Sequence, residues 1–358
     1  METKEPGYLR QLDGLRALSV AAVAWSHWRA YWNHNPSFFP GAELGVETFF
    51  VISGFLITGI LLDNRSVELR SAVLKQFYIR RFLRIFPLFY ATITVALLFE
   101  ASCIAETWQW HVSYLSNIYF YEWGWRASLS HFWSLAVEEQ FYLFWPLLVL
   151  LLPARFLKVV IPALILAAPV YALSMNVSHP GFLGIISSSI LMPSCLSALG
   201  MGAFVAYLIR QMKNVRKWMN WSLGLGLAGT VAWHFFGSPD WLAPFNRLAV
   251  DGVLGWLIFS TAEGFQGPVG WFLQCPPMNY LGKISYGLYI IHNFAKPILF
   301  QATVHLSMPQ WMFNLCQSPR VSVLLLMIIT VGLASLSWHF FEKPINRLKR
   351  HFPYPVKP

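Results

Sequence analysis

The chain carries ten apolar stretches, each long enough to cross a bilayer, and little else. They fall near 12–31, 44–62, 85–103, 132–152 and 156–174, then near 188–209, 219–236, 246–262, 283–304 and 319–341. A helix needs about 20 apolar residues to span the hydrocarbon core. Lipid offers no partner to an unpaired backbone group, so each stretch must close its hydrogen bonds within itself. The expected fold class is therefore all-α, a polytopic integral membrane bundle of about ten transmembrane helices. Composition agrees: 56% of the 358 residues are hydrophobic and 12% charged, against about a quarter charged in soluble domains. The 246–262 stretch is the weakest, because Arg247 and Asp251 interrupt it. With no internal repeat and no room for a soluble domain, residues 1–358 are expected to form a single membrane domain. The first stretch exceeds a signal-peptide core and is expected to remain as a span.

Basic residues stay cytoplasmic, and their placement orients the bundle. With the N-terminus inside, ten spans return the C-terminus inside, so both termini are expected to be cytoplasmic. All but five of the 26 Lys and Arg then fall on that side, the exceptions being Arg29, Arg126, Arg247, Lys296 and Arg320. The net charge of +10 is explained by this asymmetry, and nucleic acid is not needed as a partner. Residues 66–84 mix apolar side chains with six charges and are expected to lie as an amphipathic helix on the inner leaflet. The outer loop near 104–130 is rich in Trp and Tyr, including Trp108, Trp110, Tyr119 and Trp123. Interfacial anchoring is the simpler reading of that loop, and a cover over a substrate groove the sharper one. The four cysteines (Cys103, Cys195, Cys275, Cys316) show no metal-ligand spacing. They read as apolar thiols, with Cys103 and Cys316 the pair placed near one membrane face.

Ionisable groups inside a bilayer are costly and default to functional candidates. Arg16 and His27 lie in the first stretch. Eleven residues turn a helix through about 1,100°, about 20° past three full turns, and raise it about 16 Å. One face thus carries an arginine at the cytoplasmic mouth and an imidazole deep inside. An anionic ligand entering from inside fits that face, as does a snorkelling arginine with a histidine satisfied by a carbonyl. In "GVETFFVISGFLIT", Gly45 to Thr58, Glu47 is expected near the depth of His27, and Ser53 and Gly54 suit either chemistry or close packing. A carboxylate on one imidazole nitrogen would leave the other free as a base. In "RRFLRIFP", Arg80, Arg81 and Arg84 form a cluster suited to phosphate or to anionic lipid. In "HFWSLAVEEQFYLFWPLL", the adjacent Glu138 and Glu139 point about 100° apart, so one of them is expected to face a site. His292 and Lys296, one turn apart, can face a polar cavity together, while Glu342 and Lys343 read as a helix-end pair at the inner surface.

Taken in order, "LDGLRALSVAAVAWSH", "GVETFFVISGFLIT", "RRFLRIFP", "FWSLAVEEQFYL", "LGKISYGLYIIH" and "FEKP" resemble the acyltransferase-3 family of bacterial membrane O-acyltransferases. The resemblance runs from Leu12 to Pro344. It implies transfer of an acetyl or other short acyl group from cytoplasmic acyl-CoA to a hydroxyl of a cell-surface or lipid-linked glycan, in the bacterial inner membrane and with no metal. The family's first-helix Arg and His match Arg16 and His27, its cytoplasmic arginines match positions among Arg80, Arg81 and Arg84, and its late Ser-Tyr-Gly matches Ser285, Tyr286 and Gly287. The family's usual second-helix Asp is Glu47 here, one methylene longer. His27 is then the expected base, with Glu47 or Glu138 as its partner. Arg16, Arg80, Arg81, Arg84, Ser285 and Tyr286 are expected to hold acetyl-CoA, and an acyl-histidine route stays open. Some members add a hydrolase-like periplasmic domain; these 358 residues are expected to hold the membrane part alone. A small hydrophobic acceptor, such as a macrolide or a lipid, is an alternative. A transporter or flippase of lipid-linked sugar is the alternative from another class. A homo-oligomer is compatible with the sequence.

Overall fold

The computed structural model describes residues 9–29, 41–67, 69–99, 104–125, 129–178, 188–236, 242–305 and 309–355. These are helical almost throughout, and no strand occurs among the described residues. In chain order come α1 (Arg10–Arg29), α2 (Gly41–Asp63), α3 (Arg70–Phe99), the short α4 (Trp108–Val112) and α5 (Ser116–Trp123), α6 (Phe132–Leu151) and α7 (Ala154–Ser178). Then follow α8 (Leu196–Gln211), α9 (Val215–Phe236), α10 (Ala243–Glu263), α11 (Gly267–Gln274), α12 (Pro276–Lys283) and α13 (Ser285–Ile291). The last are α14 (Ala295–His305), α15 (Gln310–Gln317), α16 (Pro319–Ser337) and, after a π turn over Trp338–Glu342, α17 (Lys343–Arg347).

Among the described residues each of the ten apolar stretches is mostly helical, but fewer than ten helices are long and apolar enough to span unaided. Six meet that description, or seven if α10 and α11, bent by 82°, count as one span. Together they make this a multi-pass membrane protein. The first stretch falls short because Arg10, Asp13, Arg16 and Arg29 interrupt α1. The ninth falls short because it is broken: α13 ends at Ile291 and α14 begins at Ala295. Pro297 accounts for the break, since it lacks the N–H that would bond to Asn293 and suits the first turn of a new helix. The expected surface helix over 66–84 and the third span are instead one continuous helix of 30 residues. Pro87 removes a single donor within it, and the helix carries through.

The described residues group into two compact units. One is drawn from Met1–Val46, Leu83–Thr92 and Phe265–Lys349, the other from Glu47–Phe82, Ile93–Gly264 and Arg350–Pro358. In the first, α1 packs closely on α12: a Cβ on Gly282 would lie 2.1 Å from the Asp13 carbonyl oxygen, so only glycine fits. Further along, Ala24 and Trp28 of α1 share an apolar core with Ala295, Leu299 and Leu326. In the second unit, α2 and α8 meet backbone to backbone. A Cβ on Gly54 would lie 1.9 Å from the Leu199 carbonyl oxygen, and one on Gly202 1.9 Å from that of Val51. Close approach through small residues is the usual substitute for hydrophobic drive between membrane helices. Gly54 is therefore a packing residue. Cys195 is buried and Cys316 half-buried, both as free thiols, and Cys103 lies outside the described residues.

Candidate active site

In the first unit the polar side chains of α1 converge on the broken ninth stretch. A helix that stops leaves its last carbonyls without onward partners. At the break, Trp28 Nε1–H donates to the carbonyl of His292 at 3.1 Å, and His292 Nδ1 lies 2.6 Å from the carbonyl oxygen of Tyr289. The other nitrogen, Nε2, lies 2.8 Å from His27 Nδ1. The two rings are within 9° of parallel with centroids 5.0 Å apart. A hydrogen bond in the ring plane plus the two ring radii accounts for that separation, so the imidazoles meet edge to edge. His292 is completely buried. The partner that sequence reasoning sought for His27 in a carboxylate is thus supplied by a second imidazole. His292 was visible as a polar residue in the ninth stretch, and Pro297 was the signal that the chain would break beside it.

Arg16 and Ser285 sit lower on the same pair of elements. Each follows the close contact of Asp13 with Gly282 by three residues, which sets them at one level on two helices running the same way. Arg16 Nε and Ser285 Oγ are both buried, and neither has a hydrogen-bond partner among the described residues. Leaving a buried polar group unpaired costs about 1–3 kcal/mol, more for a charged one, so this pair invites an anionic, hydrogen-bonding ligand. Tyr286 O–H is occupied, donating to the Ile85 carbonyl at 2.7 Å. Glu342, expected as one of a helix-end pair, is enclosed by the protein: it is 5% exposed, accepts from Ser337 Oγ–H at 3.0 Å, and lies against Gly287. The π turn over 338–342 carries it inward, and no periodic pattern announces such a turn. Arg84 is the cation whose charge acts on it.

In the second unit, Glu138 is held on both oxygens. Ser53 Oγ–H donates to Oε1 at 2.8 Å, and the Tyr142 hydroxyl lies 3.1 Å from both Oε2 and Ser53 Oγ. Arg81 stands over the rings of Tyr142 and Phe77 at 5.5 and 5.6 Å. Glu139 keeps one buried oxygen without a hydrogen-bond partner among the described residues. Next to them Gln140 donates to the Tyr114 carbonyl at 2.8 Å and to Asn117 Oδ1 at 2.9 Å, fastening the aromatic outer segment. Glu47 forms an ion pair with Arg247 at 2.7 Å. Arg80 donates to the Phe352 carbonyl at 3.1 Å and stands 5.3 Å over the ring of Tyr354.

A helical bundle with six or seven candidate spans and, on one helix, an imidazole paired with His292 and an arginine Nε without a hydrogen-bond partner among the described residues defines a multi-pass membrane protein with polar groups gathered inside it. The chain belongs to the acyltransferase domain family, whose model matches residues 9–339. It is 29% identical to the peptidoglycan O-acetyltransferase OatA of Listeria monocytogenes, over 95% of this chain and 56% of that protein. It is 27% identical to the O-acetyltransferase OatA of Staphylococcus aureus, over 96% of this chain and 58% of that protein. A putative peptidoglycan O-acetyltransferase of Bacillus subtilis, YrhL, is 28% identical over 96% of this chain and 56% of its own length. The chain therefore spans a little over half the length of these curated relatives. No solved structure matches it.

Proposed function

We propose that this chain is the membrane O-acetyltransferase module of a bacterial inner membrane, moving acetyl groups from cytoplasmic acetyl-CoA to hydroxyls of a cell-surface glycan such as peptidoglycan. The observation that carries the reading is the buried, unpartnered Nε of Arg16 on the helix face that also presents His27. A cation with no ion pair among the described residues fits an anionic substrate, and the nucleotide phosphates of the donor supply that charge. Arg16, Arg80, Arg81 and Arg84 are the residues for the phosphates, with Ser285 and Tyr286 as further residues for the donor. The acceptor's class rests on the names of the relatives.

In the reaction His27 takes the proton of the acceptor hydroxyl. The new C–O bond forms at the acyl carbon, the C–S bond of the thioester breaks, and the thiolate leaves and gains a proton. His27 then returns to its neutral form. The test is transfer of labelled acetyl from acetyl-CoA to a lipid-linked or peptidoglycan fragment by the protein in nanodiscs. His27→Ala should lose at least about 10²-fold in turnover. Wild-type turnover in a correctly inserted His27→Ala protein would sink the proposal.

A further inference from the structure

We infer that His292 is the positioning residue of His27: through the edge-to-edge hydrogen bond it holds His27 with its hydrogen on Nδ1, leaving Nε2 bare to accept the acceptor's proton. The inference rests on the reading of His27 as the base and adds which nitrogen acts and what fixes it.

The direction of the chain of hydrogen bonds follows from its end. A backbone carbonyl only accepts, so the 2.6 Å contact with the Tyr289 oxygen requires hydrogen on His292 Nδ1. A neutral imidazole carries one N–H, so His292 Nε2 presents a lone pair. That lone pair faces His27 Nδ1 at 2.8 Å, which must then be the donor. With its hydrogen committed there, His27 has Nε2 unprotonated. The backbone reinforces the arrangement, because Trp28, the next residue on α1, ties down the His292 carbonyl at 3.1 Å. Adjacent residues of one helix thus grip the side chain and the main chain of His292 at the point where the ninth stretch breaks. The cations and titratable groups at this point include His27, His292, Tyr289, whose ring lies 5.7 Å from that of His292, and Lys296, whose charge acts on His27. His292 has no exposed surface. Its work is done through His27. When His27 Nε2 takes a proton, its Nδ1–H stays directed at His292 Nε2, and His292 Nδ1–H at the carbonyl, so two aligned dipoles stabilise the imidazolium. An unrestrained imidazole would instead divide between two tautomers, one of them unable to act as base.

Nitrogen-15 NMR of histidine-labelled protein in nanodiscs reads the tautomer directly, with the His27 signals identified by their loss in His27→Gln. The expected spectrum shows hydrogen on Nδ1 of His27; hydrogen on Nε2 in the wild-type protein overturns the inference. In the acetyl-transfer assay, His292→Phe should lower kcat about 10²-fold while the donor KM stays within about twofold. His292→Gln, whose amide oxygen can take the place of Nε2, should keep kcat within about tenfold of wild type. Wild-type kcat in His292→Phe, or an equal loss in His292→Phe and His292→Gln, overturns the inference. Full turnover by His27→Ala would instead overturn the reading of the base. Should His292→Phe fail to insert, the wild-type spectrum decides alone.

Discussion

Two arginines of this protein, each with its Nε shut off from water, face opposite fates. Arg247, in the second unit, is surrounded: Glu47 lies 2.7 Å from its Nε, the Ser189 carbonyl accepts from Nη1 at 2.7 Å, and Cys195 Sγ stands 3.7 Å from Nη2. Arg16, in the first, has a buried Nε and no hydrogen-bond partner or ion pair among the described residues. Both bear the cost of an Nε taken out of water. Arg247 recovers it inside the protein, as a structural residue should. Arg16 does not, and a fold that keeps an uncompensated cation keeps it for something that arrives later. Charge inside a membrane is thus a weaker sign of function than charge without a partner.

Removing Arg247 should have the largest effect. Arg247→Met strands Glu47, and breaking a buried pair costs about 3–5 kcal/mol, to be read from unfolding in bicelles. The double variant Arg247→Met with Glu47→Leu should regain part of that, because Glu47 no longer needs a cation, while the buried Asp251, whose charge also acts on Arg247, still loses its own. A single variant as stable as wild type would erase the contrast between the two arginines. Arg16→Gln should behave in the opposite way, leaving stability unchanged or raised while the donor KM rises roughly 10–100-fold. That corresponds to a charge-assisted hydrogen bond of about 1.5–3 kcal/mol. A destabilised Arg16→Gln protein with normal donor KM would make Arg16 structural after all.

A neutral group tests whether lacking a partner is by itself the signal. His111 on α4 is 2% exposed, its Nδ1 has no partner, and the rings of Phe120 and Phe132 lie 6.0 and 6.1 Å away. Burial lowers its pKa from 6.5 to about 4. An orphaned neutral nitrogen is far cheaper than an orphaned charge, so His111 is tolerated as packing. The folded value lies below the unfolded one, so its contribution is complete above pH 6.5 and is lost as pH falls towards 4. At pH 5 the loss should reach about 2 kcal/mol, seen as faster hydrogen exchange over residues 108–123. His111→Phe should remove that pH dependence; its persistence would mean that another group titrates.

How far the sequence could reach follows from the same residues. The helical class and the shared face of Arg16 and His27 were legible because both rest on local periodicity and apolar length. The break at His292 was legible in principle through Pro297, yet Pro87 in α3 gives the same signal and breaks nothing. The difference is position: Pro297 falls in the first turn of a new helix, where a missing N–H costs nothing. The pairing of Glu47 with Arg247 joins residues two hundred positions apart, and the inward turn of Glu342 depends on a π turn. Neither leaves a trace in local pattern. The sequence could therefore name the polar residues but not say which of them were already satisfied.

Arg80 stands between the two extremes and gives the smallest effect. It was expected to hold phosphate, yet it already has protein partners: it donates to the Phe352 carbonyl at 3.1 Å and lies 5.3 Å over the ring of Tyr354. Tyr354 is largely enclosed, and burial pushes its hydroxyl above the usual phenol range while Arg81 and Arg80 pull it back. A cation over an aromatic face contributes about 0.5–1 kcal/mol at such a site. Tyr354→Leu should therefore cost about that much stability, in the same unfolding measurement. If Arg80 is a structural cation of the Arg247 kind, the donor KM of Tyr354→Leu will not change. If the C-terminal residues share Arg80 with the donor, that KM should fall, because releasing the guanidinium leaves it as exposed to an anion as Arg16 is now.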